Sequence, residues 1–336
     1  MNAPRPRLVV LLILALTGLA LGVTPCEAKD KKKPVKLTPQ ERTELRKLMR
    51  RASFAGRGGR GGRGGGSRMA GRREDAIAKI GKMGAKAKDA VKVLAKLLKD
   101  SEEGVRMASA DALGDIGADG ERSALAALAS VLGGSDEPLT AAACRSLGRA
   151  GEDAAPVAKR LFKLLESPSP EVRIAALAAL GQTGPGKVKK PDQPIRALLD
   201  DADPFVRFES RVTLVSWGHK DKAFVASFVE VLKNKKNLAD RRMRAADALG
   251  AIGEPAAAAV PELIAGFQEQ NEGAFNPAVP YAKERKAQAD KLRARCARAL
   301  GLIGKPAAEA IPALEAEKDD ENLKEAVAEA LERIKG

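Results

Sequence analysis

Apolar residues along this chain recur three and four positions apart, which places them on one side of an α-helix. Three stripes show this spacing: Val91, Leu94, Ala95 and Leu98; Val225, Phe228, Val229 and Leu232; and Val260, Leu263, Ile264 and Phe267. An alanine-rich stripe follows, as in Val105, Ala108, Ala112, Leu113 and Ile116. No segment alternates apolar and polar residues as a half-buried strand does, so the pattern predicts an all-α chain.

A short motif, Leu-Gly-x-x-Gly, ends each alanine-rich stripe. Its first glycine stands at positions 81, 114, 148, 181, 215, 250 and 301, with Val215 replacing glycine in one copy, so the steps are 33, 34, 33, 34, 35 and 51 residues. A period in this range predicts stacked two-helix units, each burying its apolar face only against its neighbours. We expect the glycines to end the second helix of each pair by adopting positive φ.

The residues between these glycines indicate the type of repeat. Val-Arg, an alanine-rich helix and Leu-Gly-x-x-Gly stand together at Val105-Arg106 to Gly117 and at Val172-Arg173 to Gly184. This combination resembles the short HEAT-like repeats of the phycobilisome-lyase type. The resemblance covers about residues 73–336 and implies a right-handed α-solenoid of about seven HEAT-like helix pairs. It is specific for fold and says little about function.

One arginine recurs eight residues before the first glycine, and Thr140 breaks the series. The members of this arginine ladder are Arg73, Arg106, Arg173, Arg207, Arg242 and Arg293. The guanidinium groups either bind an anionic ligand or pair with neighbouring carboxylates and helix ends. We favour the structural role, because a stack of repeats produces a residue once in every layer.

Charge is concentrated at the N-terminus. The chain carries a net charge of +15, and residues 1–73 hold 18 basic and 4 acidic residues, against 41 and 40 in residues 74–336. Residues 1–28 predict a secretory signal, with Arg5 and Arg7 before an apolar run and a cleavage point near Ala28. We therefore expect a periplasmic, cell-envelope or secreted protein. The alternative is an uncleaved membrane anchor that keeps the repeats in the cytoplasm.

Residues 29–72 form a predicted basic tail. A capping box at Thr38 to Glu41 starts a short helix over residues 39–53, which we expect to pack on the first repeat or to lie on an anionic membrane surface. Residues 56–66 predict a disordered Gly/Arg-rich linker. Its Arg57, Arg60 and Arg63 are candidates for binding an anionic polymer or nucleic acid. Export would disfavour nucleic acid, and Phe54 is the only aromatic residue nearby.

Departures from the repeat indicate where a partner protein binds. Phe205, Phe208 and His219 lie in the copy that has lost its glycine, and Phe275 and Tyr281 lie in an insertion near residues 270–291 that lengthens one step to 51. Exposed aromatic residues and solenoid insertions are both common at binding faces. The alternatives are a repacked core for the first group and a tolerated surface insertion for the second.

No catalytic constellation is visible in the sequence. Cys144 and Cys296 lie where other copies have small core residues, about four repeats apart and so too distant for a disulfide. His219 is the only histidine, which excludes histidine-rich metal sites. We predict a scaffold that binds protein, without catalysis, cofactor or metal. Polyanion or nucleic-acid binding through the tail and an accessory subunit of a lyase-type enzyme remain the alternatives.

Overall fold

The computed structural model describes residues 37–54, 65–269 and 282–336, and every regular element within these ranges is helical. The chain divides into two compact units, the N-terminal unit Lys32–Trp217 and the C-terminal unit Gly218–Gly336. Each unit is a stack of helix pairs. The predicted all-α solenoid fold is confirmed.

The N-terminal unit contains five helix pairs. They are α1 (Pro39–Ser53) with α2 (Gly65–Lys82), α3 (Val91–Leu97) with α4 (Glu103–Ala118), α5 (Arg122–Ser130) with α6 (Glu137–Arg149), α7 (Ala158–Lys163) with α8 (Pro170–Thr183), and α9 (Asp192–Ala197) with α10 (Pro204–Ser216). Short 3₁₀ segments extend several first helices, as at Gly84–Ala90 before α3 and Gly151–Val157 before α7.

The C-terminal unit contains three pairs. They are α11 (Val225–Lys233) with α12 (Ala239–Ile252), α13 (Val260–Gln268) with α14 (Ala282–Ile303), and α15 (Ile311–Ala316) with α16 (Lys324–Lys335). The described residues thus form eight pairs, against the seven or so predicted, because α1 pairs with α2 instead of preceding the repeats as an extra helix.

Helix α1 is tied to the repeats at both ends. Its capping box is formed: the Thr38 hydroxyl accepts from the Glu41 N–H at 3.2 Å, and Glu41 accepts from the Thr38 N–H at 2.8 Å. Glu41 also accepts from Lys86 Nζ at 2.7 Å, and this hydrogen bond is the main reason that its pKa falls to about 2. Leu45 and Leu48 are buried. The apolar stripe of α1 is therefore covered by protein.

Helix α2 begins before residue 73, the predicted start of the repeats. Residue 73 lies inside α2, which begins at Gly65 and so includes the last two residues of the predicted linker 56–66. Helix α2 packs against α1, and tertiary packing supplies most of the stability of helices in proteins. The tail before residue 37 and the arginines of the linker lie outside the described residues.

The two glycines of the motif have different structural roles. The first lies within the second helix and faces the second helix of the next pair: a Cβ added to Gly81 would lie 2.9 Å from the Cα of Ala112, and one added to Gly301 would lie 2.7 Å from the Cα of Ala330. Only the second glycine ends the helix with positive φ, as Gly184 does at 74°. The expectation that both glycines end the helix is wrong for the first.

Two copies of the motif depart from this pattern. Gly117 has no positive φ; α4 continues to Ala118, and Gly120 takes the left-handed conformation at 94°. The copy in which Val215 replaces the first glycine is the last of the N-terminal unit, which ends at Trp217.

Cys144 and Cys296, the two cysteines in the described ranges, are buried and free, as predicted. Burial raises the pKa of the Cys144 and Cys296 thiols to about 12. Both thiols therefore stay protonated near neutral pH and serve as small core groups.

Gly81→Ala tests the role of the first glycine, and Gly71→Ala in the same helix is its control. The added methyl at 81 collides with the α4 backbone, so we expect a net loss of about 1–2 kcal/mol in unfolding free energy, after helix propensity returns part of the packing cost. Nothing lies within 4 Å of a Cβ at Gly71, so that change should stabilise by about 0.5–1 kcal/mol. Urea titration measures both, and equal effects would contradict the packing role.

Candidate functional site

The arginine ladder lies at the turns between the two helices of each pair. In three pairs the guanidinium Nε donates to a carbonyl at the end of the first helix: Arg73 to Ala52 at 2.9 Å, Arg242 to Leu232 at 2.7 Å and Arg293 to Phe267 at 2.8 Å. Helix ends carry carbonyl groups with no partner in their own helix. These arginines therefore complete the first helix.

The other ladder arginines reach the turn itself. Arg106, Arg173 and Arg207 donate from Nη1 to the carbonyls of Asp100, Ser167 and Asp201, at 2.9, 2.8 and 2.7 Å. Thr140, which replaces arginine in one pair, donates its hydroxyl to the Val131 carbonyl at 3.4 Å.

Five of the six guanidinium groups also bind a carboxylate from the next pair. The ion pairs are Arg73 with Asp100, Arg106 with Asp136 at 2.6 Å, Arg173 with Asp201 at 2.8 Å, Arg242 with Glu269 at 2.6 Å and Arg293 with Glu317 at 2.9 Å. Arg242 and Glu269 form two parallel hydrogen bonds, the strongest geometry for this pair of groups. One residue thus joins the helices of its own pair to the following pair.

Two of the ladder carboxylates, Asp100 and Glu269, have a lowered pKa. The hydrogen bond from Arg242 lowers the pKa of Glu269. Burial alone would raise the pKa of Asp100, but hydrogen bonds from Arg73 and from the Glu102 N–H outweigh it, and the pKa is lowered. The side chains of Arg73, Arg242 and Arg293 are only 8–9% exposed. Their charge is neutralised inside the fold, so their geometry is that of a structural ladder and not of an anion site.

The aromatic candidates separate into exposed and buried residues. Phe205 is 42% exposed in the first turn of α10, where the Asp203 carboxylate accepts its N–H at 2.8 Å. Phe208 is 6% exposed, so the prediction that it binds a partner is wrong. A second helix in the middle of a stack is covered on several sides, so its buried arc is wider than the apolar stripe indicates.

The remaining candidates lie outside the unit that holds Phe205 or outside the described residues. His219 is half-buried and belongs to the C-terminal unit. Phe275, Tyr281, Arg57, Arg60 and Arg63 lie outside the described residues. Trp217 is also a packing residue, since its Nε1 donates to the Leu180 carbonyl at 3.1 Å and its ring lies 6.2 Å from that of Phe162.

A cleft that the sequence analysis missed lies between α1 and α2. This α1–α2 cleft has a volume of about 670 Å³. Its lining residues are Leu48, Arg50, Arg51, Phe54, Met69, Arg72, Arg73, Asp75, Ala76 and Lys79. In the sequence Phe54 is an isolated aromatic residue, because nothing there shows that Arg72 and Lys79 line the same cleft. The signal was a cluster of arginines flanking an unexplained aromatic residue.

A second basic cleft of about 640 Å³ lies where the loop after α8 meets the 3₁₀ segment before α7. Its lining includes Lys159, Lys187 and Lys189 together with Pro156 and Val188. No aromatic side chain lines it.

The fold, the ladder and the motif can now be compared with known proteins. Models of HEAT repeats match residues 72–139 and 125–215, and a model of the PBS lyase HEAT-like repeat matches residues 241–269. The chain belongs to the HEAT-repeat family. The search of curated proteins found no significant match.

Several solved structures are similar to this chain at low sequence identity. The complex of CpcE and CpcF of phycocyanin lyase from Nostoc sp. PCC7120 is 19% identical with a TM-score of 0.51, covering 91% of this chain and 98% of that one. YibA from Escherichia coli is 16% identical with a TM-score of 0.47, covering 90% and 99%. A HEAT-like repeat protein from Thermococcus onnurineus NA1 is 19% identical with a TM-score of 0.36, covering 80% and 100%.

Within the described residues, no three or more His, Cys, Asp or Glu side chains come together as metal ligands would. None of the helices in those ranges combines the length and the apolar character that spanning a membrane requires.

Arg242→Met tests the structural role of the ladder, with Arg295→Met as its control. Removing Arg242 leaves the half-buried Glu269 and the Leu232 carbonyl without their donor, so we expect a loss of about 3 kcal/mol in unfolding free energy at pH 7. Arg295 binds Asp247 at 3.0 Å, but both side chains are more than 40% exposed, so its loss should cost less than about 1 kcal/mol.

The difference between wild type and Arg242→Met should depend on pH. Because the pKa of Glu269 is lowered on folding, its ion pair stabilises fully above the ordinary glutamate pKa of 4.5 and is lost as pH falls through the folded pKa. The unfolding free energies of wild type and Arg242→Met should therefore differ less at acid pH than at pH 7. A difference that is the same at both pH values would contradict the ion-pair role.

Proposed function

We propose that this HEAT-repeat protein is a non-catalytic scaffold that binds another protein outside the cytoplasm. The observation that carries this proposal is Phe205, a large aromatic side chain that is 42% exposed on a folded repeat unit. Phe208, one turn further along the same helix, is buried. An aromatic side chain at the surface is the type of residue that anchors protein interfaces.

The chemistry of the described residues supports a binding role. The ladder arginines are engaged with carbonyls and carboxylates of the repeats, and the two buried thiols, with pKa values of about 12, are poor nucleophiles near neutral pH. The comparison adds support for a protein partner, since the CpcE–CpcF structure with the same fold is a complex of two proteins.

Export is supported by the N-terminal sequence alone. Arg5 and Arg7 precede the apolar run Leu8–Val23, and a cleavage point follows at Ala28. Intact mass spectrometry of the protein from fractionated native cells tests this part. A chain starting at Lys29 in the extracytoplasmic fraction is the expected result, and a full-length chain in the membrane fraction would contradict it.

Phe205→Ser tests the binding role, and Leu238→Ser is the matched control. Leu238 is 71% exposed and lies in the C-terminal unit, so the two changes remove similar exposed apolar groups at different places. Both should alter unfolding free energy by less than about 0.5 kcal/mol. Affinity capture from the native extracytoplasmic fraction should recover a partner with wild type and Leu238→Ser but not with Phe205→Ser. Equal recovery by all three would contradict the proposal.

Binding of an anionic polymer through Arg57, Arg60 and Arg63 is the second candidate function. It is supported by the charge of residues 1–73, which hold 18 basic and 4 acidic residues. Such binding requires an affinity that falls steeply with salt, whichever polymer is bound. Fluorescence anisotropy of a labelled oligothymidylate, titrated with the full chain at several salt concentrations, measures this dependence; an affinity that does not change with salt would contradict this candidate function.

A further inference from the structure

We propose that the α1–α2 cleft binds an acidic peptide segment that carries one large apolar side chain. This inference rests on the proposed protein-binding function, but it concerns a surface other than that of Phe205.

The floor of the cleft is apolar, although it opens to solvent. Leu48 and Ala76 are buried beneath it, whereas Phe54 is 59% and Met69 is 37% exposed. Among the residues whose side chains the structure describes, only four large apolar side chains are this exposed, and two of them line this cleft. A volume of about 670 Å³ is ample for one apolar side chain and the backbone on either side of it.

The rim of the cleft is cationic. Arg50, Arg51, Arg72 and Lys79 are exposed, and none of them forms an ion pair within the described part of the chain. Asp75 is the only carboxylate in the lining. Arg73 also lines the cleft, but its guanidinium is engaged with Asp100 and the Ala52 carbonyl. Four cations are thus available to a ligand, unlike those of the ladder.

Charge complementarity decides which class of ligand fits. The adjoining segments of the sequence, residues 29–36 and 55–64, hold five lysines and three arginines against one aspartate, so their net charge has the same sign as that of the rim. Carboxylates complement it, since arginine presents paired N–H donors that match them. Arginine clusters recognise acidic peptide motifs in this way.

The apolar floor separates a peptide from other polyanions. Binding of a phosphate chain needs only the rim and leaves Phe54 and Met69 in water. Single-stranded nucleic acid stacks successive bases on several aromatic side chains, and Phe54 is the only aromatic residue in this lining. An apolar side chain flanked by carboxylates uses the floor and the rim together, so the observations favour an acidic peptide.

The cleft beside the loop after α8 provides an internal control. Its volume of about 640 Å³ is similar, and Lys159, Lys187 and Lys189 make it basic, but it has no exposed aromatic side chain. General attraction of a polyanion should use both clefts, whereas the proposed peptide should use only the α1–α2 cleft.

Fluorescence anisotropy of a labelled peptide, Asp-Glu-Glu-Leu-Glu-Asp-Glu, titrated with the full chain tests the proposal. We expect saturable binding that weakens with salt. Arg50→Glu with Arg72→Glu should weaken it by about tenfold or more, because two attractive contacts become repulsive. Phe54→Ser should weaken it severalfold, whereas Lys187→Glu with Lys189→Glu, which changes the net charge equally, should change it by less than about twofold.

Three further probes decide between the ligand classes. A peptide with serine in place of leucine should bind severalfold more weakly; equal affinity would overturn the proposal, because charge alone would account for binding. An oligothymidylate, or a vesicle of phosphatidylserine and phosphatidylcholine, that binds more tightly than the peptide and loses binding in the Arg50→Glu, Arg72→Glu variant would assign the cleft to that ligand and overturn the proposal. Equal losses in the two charge-reversed variants would also overturn it.

The experiments distinguish failure of the cleft proposal from failure of the proposed protein-binding function. The charge-reversed residues are exposed and form no ion pair with any residue of the described ranges, so circular dichroism should show unchanged helix content. Capture of a partner through Phe205 does not depend on the α1–α2 cleft. If the wild-type chain does not bind the peptide but still captures a partner through Phe205, the cleft proposal alone is overturned.

Discussion

A helix that ends inside a stack leaves carbonyl groups that its own backbone cannot satisfy, and the rest of this fold depends on how they are satisfied. The ladder arginines supply the donors at these turns. In most pairs the same guanidinium group also binds a carboxylate from the next turn, as Arg242 does with Glu269. In these pairs a single residue therefore satisfies carbonyls at the turn and contacts the following pair. Because these contacts consume the ladder charges, anion binding has to be sought elsewhere.

Close approach of the second helices is the other constraint on the stack. Alanine and the first glycine of each motif leave room for a neighbouring backbone, as Gly81 does for Ala112. The second glycine has the separate task of ending the helix. These two tasks explain why the motif contains two glycines three residues apart. They also explain why the motif is uninformative about function, since both tasks concern packing.

Periodicity predicts what every repeat shares, and this part of the fold followed from the sequence. The helix pairs, the capping box at Thr38 and the buried cysteines all rest on local or repeated signals. Burial of Phe208 could not be predicted from the sequence, because the width of the buried side of a helix depends on neighbouring helices that periodicity does not describe. The α1–α2 cleft did not follow either, since Phe54 and Arg72 meet only when α1 packs on α2.

Function therefore has to be sought in what the repeats do not use. The ladder neutralises its own charges, whereas Arg50, Arg51, Arg72 and Lys79 remain available around exposed apolar side chains. This contrast separates charges that build the stack from charges that are available to a partner. The contrast holds only if the ladder arginines have a structural role.

The most direct test of that claim is a double-mutant cycle between Arg242→Met and Glu269→Gln, read as unfolding free energy at neutral pH. A structural ion pair predicts a coupling energy of about 1–3 kcal/mol between these side chains. A coupling energy indistinguishable from zero would contradict the claim, because the two charges would then contribute to stability independently.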